Sequence, residues 1–252
     1  MSDPLSNAPR GEGCLTVIPT YNEAENLPSL LTGIHGVAPG MHVLVVDDNS
    51  PDGTGILAES LANADGRIFV HRRPRKLGLG TAYVAGFRWA LEHDYRAVIQ
   101  MDADFSHDPR YLPDLIAGLE EADLVIGSRY VHGISVVNWS LWRLALSLGG
   151  NAYARWLTGI PLRDLTAGFK AFRRGLLERI PLQRIVSDGY AFQIEMNFWS
   201  HRLGARFREV PIIFADRRVG ISKMNKGIVI EALATPWRLW TAWLVHGGQK
   251  SR

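Results

Sequence analysis

Short apolar runs recur along the first half of the chain, each followed by a polar loop and then a helix-like pattern. This alternation constrains the fold more than any other feature. Residues 15–18, 42–46, 67–71, 97–101 and 124–127 read as strands. Between them, residues 22–34, 56–62, 80–93 and 109–121 read as helices, with apolar positions such as Ala82, Ala85, Trp89 and Ala90 in the third. Asn22 is placed to cap the first helix and Pro109 to open the fourth. The pattern predicts an α/β fold, an open and mostly parallel sheet flanked by helices. Ligands of such sheets bind outside the carboxyl ends of the strands. The loops at those ends, PTYNE, DDNSPDGT, DADFSH and GSRY, hold nearly all the unusual polar residues.

The second half is less regular. A Trp-rich helix is expected over residues 139–157, a strand over 169–172, a helix over 191–203 and a strand over 206–210. A final amphipathic helix or helix pair is expected over 228–245. Trp139, Trp142, Trp156, Trp237, Trp240 and Trp243 crowd two of these helices. They serve either ordinary core packing or a membrane interface, where tryptophan is favoured. No internal repeat or low-complexity block interrupts the chain.

At 252 residues, the chain can bury one large core, or two. A net charge of +3 is too small to imply nucleic acid, but it suits an anionic substrate or an anionic membrane surface. Cys14 is the sole cysteine, which excludes an intrachain disulfide and a cysteine metal site. Residues 1–14 lack the apolar core of a signal peptide and are expected to be a disordered leader. The longest apolar candidate, 228–245, is broken by Glu231, Pro236 and Arg238, so no span is expected. The protein is therefore expected in the cytoplasm, soluble or peripheral.

The DADFSH loop carries the sharpest chemistry. The apolar run before it delivers Asp102 and Asp104 to a strand exit, where two carboxylates one residue apart can share a hard divalent cation. Mg²⁺ or Mn²⁺ takes one or two carboxylates together with substrate phosphates, so the expected ligand is a metal–diphosphate such as a nucleotide-sugar. Polar loop chemistry is the plainer reading of an isolated pair. His107, a lone loop histidine, fits simple solvation or hydrogen bonding. Gly78 and Gly80 lie in a segment without the P-loop or G-x-G-x-x-G pattern, so a helix-entry turn is expected there.

Four loops in order, PTYNE, VVDDNSPDGT, DADFSH and GSRY, resemble a family 2 glycosyltransferase with a GT-A fold. KLGLGTAY, TAGFKAF, GYAFQIEM and EVPIIFADRRVGISKM narrow the resemblance to dolichyl- or polyprenyl-phosphate mannose synthases. It covers residues 15–224, the expected GT-A catalytic domain, with residues 225–252 an amphipathic carboxy-terminal helical segment. Some members carry carboxy-terminal membrane helices. This chain resembles the form that relies on a separate membrane-anchoring subunit.

The resemblance implies roles for individual residues. Pro19 and Tyr21 would pack against the base, Glu23 would accept from ribose or base donors, and Asp47 or Asp48 would accept a base N–H. Turn formation and helix capping are the alternative for both of those aspartates. Asp102 and Asp104 would hold the metal that bridges the diphosphate, with Ala103 between them in the substrate loop. Some relatives carry a glutamine where this chain has Ser106, whose shorter side chain puts direct ligation in doubt. Arg129, Arg217, Ser222 and Lys223 would face phosphate, with Asp104, Arg129, Arg217 and Lys223 closest to catalysis. Gln193 and Glu195 would lie on the acceptor side, Glu195 either as a general base or as a structural anchor, and Asp164 is open in the same way.

The implied reaction is inverting transfer of mannose from GDP-mannose to dolichyl or polyprenyl monophosphate at the cytoplasmic membrane face. Transfer of glucose or another sugar to a lipid phosphate is the runner-up within the class. A non-catalytic nucleotide-sugar-binding subunit is the reading from another class. A nucleotidyltransferase fits less, because the chain lacks a Gly-rich, Arg/Lys-bearing amino-terminal loop.

Overall fold

The computed structural model describes residues 11–215, 234–239 and 241. Arg217, Ser222 and Lys223 lie outside the described residues, as do residues 1–10 of the expected leader, Trp240, Trp243 and most of the expected final helix.

Seven strands form one sheet: β1 (Cys14–Thr20), β2 (His42–Asp47), β3 (Ile68–Arg72), β4 (Ala97–Gln100), β5 (Leu124–Ser128), β7 (Lys170–Arg173) and β8 (Phe207–Pro211). Their spatial order is β3-β2-β1-β4-β7-β5-β8. All pairings are parallel except those of β7, which runs antiparallel to β4 and β5. Two short strands, β6 (Val136–Val137) and β9 (Phe214–Ala215), pair separately. The expected α/β architecture is present. The direction of β7 and the small β6–β9 pair are additions to it.

The central strands are apolar on both faces because helices cover both faces. On one side Ile18, Val43, Val45 and Ile99 pack against α1 (Leu27–Val37), α2 (Thr54–Ala64) and α4 (Leu112–Gly118). On the other, Leu15, Val17, Leu44 and Val46 pack against α3 (Leu79–Glu92), α6 (Arg174–Leu177) and α7 (Gly189–Arg202). A fully buried Phe87 or Phe172 in this second layer contributes roughly 1.5–3 kcal/mol. Helix α5 (Leu141–Thr158) buries only Asn151, Ala154 and Thr158.

Two expected helix starts are corrected. Asn22 does not cap α1: its backbone is left-handed, with φ 62°, and its N–H donates to Ser50 Oγ at 3.1 Å. The helix begins at Leu27, where Pro28 occupies a first-turn position that needs no N–H. Pro109 opens a single 3-10 turn, Pro109–Tyr111, capped by the Asp108 carboxylate on the Arg110 N–H, and α4 follows only at Leu112.

Candidate active site

A cavity of about 340 Å³ opens where the parallel strands end and β7 begins. Its first wall comes from the end of β1, which contributes Pro19, and the loop after it, which contributes Tyr21 and Glu23. That loop is clamped by the SPDGT turn after β2. The Glu23 N–H donates to Thr54 Oγ1 at 2.9 Å and the Ala24 N–H to Asp52 Oδ2 at 3.1 Å. Burial works against the charge of Asp52, but hydrogen bonds from Thr54 and Ala24 outweigh it and hold its carboxyl below the usual range. Lys76 lies over the Tyr21 ring, 3.8 Å from its centroid, and both line the cavity.

The neighbours Asp47 and Asp48 separate clearly. Asp47 is wholly buried. Its carboxylate accepts from Thr20 Oγ1 at 3.1 Å, Ser50 Oγ at 2.6 Å and the Ser50 N–H at 3.1 Å, and Arg72 Nε lies 3.4 Å away. It ties β1 to the turn and does not line the cavity. Asp48 does line it, held by Arg73 Nη1 at 2.8 Å and by the Leu77 N–H at 3.0 Å.

The floor is the loop after β4. Asp102, Ala103, Asp104, Ser106 and His107 all line the cavity. The loop turns sharply at Phe105, a non-glycine residue with φ 61°. Asp104 Oδ1 accepts from the Ser106 N–H at 3.1 Å. The Asp102 N–H donates to His107 Nδ1 at 2.9 Å, which places the neutral ring's proton on Nε2. His107 is therefore hydrogen-bonded and, at 2% exposure, not solvated. Its ring stacks on Phe169 with centroids 5.0 Å apart. Tyr83 Oη donates to Asp102 Oδ1 at 2.5 Å from the fully buried face of α3. Burial, with Asp102 and Asp104 nearby, pushes the Tyr83 phenol well above its ordinary pKa.

The opposite wall is cationic and aromatic. Arg129, on the GSRY loop after β5, forms a bidentate pair with Asp164, Nε to Oδ2 at 2.7 Å and Nη2 to Oδ1 at 2.6 Å. Burial alone would lower the guanidinium pKa, but Asp164 outweighs it and the pKa is raised. Asp164 and Arg163 are fixed in turn by their N–H groups on Glu209. Arg143 of α5 also reaches the cavity, with its guanidinium 4.2 Å from the Trp139 ring centroid.

Helix α7 closes the site. Asp188, Gly189, Tyr190 and Gln193 line the cavity. Asp188 Oδ1 accepts from the Gly80 N–H at 2.6 Å, joining the start of α7 to the start of α3. Gly78 caps α3 at φ 103°, the helix-entry turn expected of it. Behind this wall, Gln100 donates to Gln193 Oε1 at 2.8 Å and Lys170 Nζ to the Gln193 carbonyl at 3.0 Å. Glu195 points elsewhere. Its carboxylate accepts from the Ser187 N–H at 3.0 Å and lies 3.6 Å from Arg238, the geometry of an anchor.

The cavity thus gathers Pro19, Tyr21, Glu23, Asp48, Asp102, Ala103, Asp104 and Arg129, and leaves Asp47 beneath it. Sequence reasoning did not single out Lys76, Tyr83, Thr166, Asp188 or Tyr190. The signal available for Asp188 was its place as the polar residue before a helix-opening glycine. Among the described residues, no three His, Cys, Asp or Glu side chains form a self-sufficient metal cluster. Two hard carboxylates on an open cavity instead suit a divalent ion whose other ligands are phosphate oxygens and water.

The family model "Glycosyl transferase family 2" matches residues 16–181. The chain is 49% identical over 231 residues to an undecaprenyl-phosphate mannosyltransferase of Micrococcus luteus, covering 91% of this chain and 95% of that protein. It is 47% identical over 233 residues to a polyprenol monophosphomannose synthase of Mycolicibacterium smegmatis, covering 92% and 88%. Among solved structures it is similar to glucosyl-3-phosphoglycerate synthase of Mycobacterium tuberculosis in complex with phosphoglyceric acid. That match has TM-score 0.68 and 21% identity, over 93% of this chain and 82% of that one. It is also similar to a mannosyltransferase of Pyrobaculum calidifontis in complex with GDP-mannose and Mn²⁺, with TM-score 0.56 and 18% identity over 97% and 78%. These structural likenesses show the GT-A type of fold. With two thirds of its length matched by the family model and nearly half its residues shared with two such enzymes, the chain belongs to glycosyl transferase family 2.

Proposed function

We propose that this chain transfers mannose from GDP-mannose to a polyprenyl monophosphate, giving polyprenyl phosphate β-mannose with inversion. The observation that carries the reading is the near-half identity to two enzymes named for mannose transfer to polyprenyl phosphates, in a chain whose cavity joins an Asp-x-Asp floor to a basic wall. Tyr21 and Lys76 flank the base, and Asp48, rather than Asp47, accepts its N–H. Glu23 faces the ribose. Asp102 and Asp104 would hold Mg²⁺ or Mn²⁺, which would supply positive charge against the diphosphate of the departing GDP. Arg129 and Arg143 offer positive charge to the acceptor phosphate, and the family resemblance implies the same task for Arg217, Ser222 and Lys223.

The reaction is a single displacement. A phosphate oxygen of the lipid bonds to the anomeric carbon as the bond from that carbon to GDP breaks, and the electron pair leaves with GDP. The nucleophile is already anionic near neutral pH, so no strong base is required. The turning away of Glu195 fits that requirement. The protein's main contribution is to hold two anions close together in line.

The acceptor's prenyl chain stays in lipid, and no helix among the described residues is long and apolar enough to cross a membrane. Helix α5 offers another means of contact. Leu141, Trp142 and Trp156 are 84%, 76% and 77% exposed. With Leu148 they form an outward stripe on the helix whose Arg143 lines the cavity. An interfacial helix combines such apolar and basic contacts, and these features support peripheral attachment at the cytoplasmic membrane face.

The test is to incubate the purified protein with labelled GDP-mannose, polyprenyl phosphate and Mn²⁺ and to extract lipid. Label in the lipid phase is expected. Donor binding without transfer would favour a non-catalytic subunit, and transfer only from UDP-glucose would change the sugar. Flotation with anionic vesicles tests the membrane contact. Failure to float would leave attachment to a separate membrane-anchoring subunit.

A further inference from the structure

Tyr83 is wholly buried, and its ring lies parallel to Phe192 of α7 with centroids 5.8 Å apart and an interplanar angle of 5°. A phenylalanine would fill that space equally well. A buried tyrosine needs a partner for its hydroxyl, and here the partner is a carboxylate oxygen of Asp102 at 2.5 Å. The other carboxylate oxygen lies on the side of Gly168, a cavity-lining residue, 3.7 Å from where a β-carbon there would sit. The same β-carbon would come 3.0 Å from His107 Cε1, so a glycine leaves room for that ring. His107 in turn holds the Asp102 backbone N–H. Asp102 is thus restrained through its side chain from α3 and through its backbone from its own loop.

We infer that Tyr83 is a positioning residue for the metal–diphosphate site, its hydroxyl holding one oxygen of Asp102 so that the other is presented to a divalent ion. This rests on the assignment of Asp102 as a metal ligand. Hydrogen-bonded partners of ligating carboxylates fix ligand orientation, and losing one typically costs about 10- to 100-fold in metal affinity or activity. The ring's stack on Phe192 also joins the Asp102 floor to α7, the helix that brings Gln193 to the cavity lining.

The test measures GDP binding by calorimetry, with Mn²⁺ and with EDTA, in the full chain and in Tyr83→Phe, Asp102→Asn and the double variant. Tyr83→Phe keeps the ring and should leave the melting temperature and the metal-free affinity for GDP unchanged. The gain in GDP affinity caused by Mn²⁺ should fall about tenfold or more. In the Asp102→Asn background, Tyr83→Phe should cause no further loss, because its partner is already altered. An unchanged or larger Mn²⁺ gain in Tyr83→Phe, with the gain lost in Asp102→Asn, would overturn the positioning role alone. A full Mn²⁺ gain in Asp102→Asn would overturn the metal assignment and the positioning role together. A Mn²⁺ gain that falls only in parallel with metal-free binding or with melting temperature would make Tyr83 a packing residue.

Discussion

Asp102 and Arg129 line the same cavity, but the two halves of the chain support them differently. Asp102 sits on a loop after a parallel strand, partly exposed, with one tyrosine hydroxyl on its carboxylate. Arg129 is 4% exposed and depends on a bidentate carboxylate, Asp164, whose own backbone is fixed by Glu209. The first half brings acids to a cavity loop through local hydrogen bonds. The second half has to bury a cation, and an ion removed from water requires a partner with good geometry. Substitutions in the first half should therefore harm transfer while sparing the fold, and those in the second should harm both.

The largest effect is expected from Asp104→Ala. It removes a cavity carboxylate that accepts from the Ser106 N–H of its own loop. Transfer into lipid should fall by at least about a hundredfold, the scale of losing a group that stabilises developing charge. The thermal melting curve should stay close to that of the parent. A large drop in melting temperature would erase the contrast with Arg129.

Asp164→Asn should act in the opposite sense. It leaves Arg129 buried without a countercharge, which costs about 3–5 kcal/mol in chemical denaturation. Removing the cation as well, in Arg129→Met/Asp164→Asn, should recover most of that loss but not transfer. If Asp164→Asn unfolds no more readily than the parent, the second half does not rely on this pair.

The same division explains what could be read from the sequence. Strands β1 to β5 and the cavity loops that follow them were legible because apolar runs and turn residues are local signals. The direction of β7 was not, because periodicity carries no direction. Yet that antiparallel strand starts at the cavity and brings Thr166 and Gly168 to it. Asp47 and Asp48 could not be separated because adjacent residues at a strand end point to opposite sides, and which side is the cavity depends on the whole sheet. Gln193 and Glu195 differ for a similar reason, two positions along a helix turning one toward the cavity and the other toward the turn at 186–187. Tyr83 was hidden by its helix, since its spacing marks only the buried face of α3.

A third, smaller effect concerns Lys170, opposite Gln100 in the sheet and fully buried. Burial pushes its ammonium from 10.5 down to about 7, with Asp164 opposing the shift. Between about pH 7 and 10.5 the unfolded chain carries a proton that the folded chain lacks, so this group adds stability as pH rises. Below about 7 both states are protonated and the cost of a buried ammonium is felt in full. Lys170→Met should therefore be more stable than the parent at pH 6, and the advantage should shrink steadily toward pH 10. A pH-independent difference in denaturation free energy would mean that Lys170 keeps its charge in the fold.

The smallest effects come from two helical glycines, and they test how differently α3 and α5 are packed. Gly86 of α3 faces Val17 of β1, and a β-carbon there would run into Val17 Cγ1. Val17 is wholly buried in a central strand and has nowhere to yield, so Gly86→Ala should cost about 1–3 kcal/mol despite alanine's better helix propensity. Gly149 of α5 has nothing within 4 Å of its β-carbon position. With no clash to offset, Gly149→Ala should stabilise the lipid-free protein by about 0.5–1 kcal/mol through helix propensity alone. Paired denaturation curves decide the matter. Opposite signs mean that α3 is set hard against the sheet while this face of α5 is left open for a surface outside the chain. A destabilised Gly149→Ala protein would show that α5 already rests against other parts of this chain, and the outward stripe of Leu141, Trp142 and Trp156 would lose its claim to the membrane.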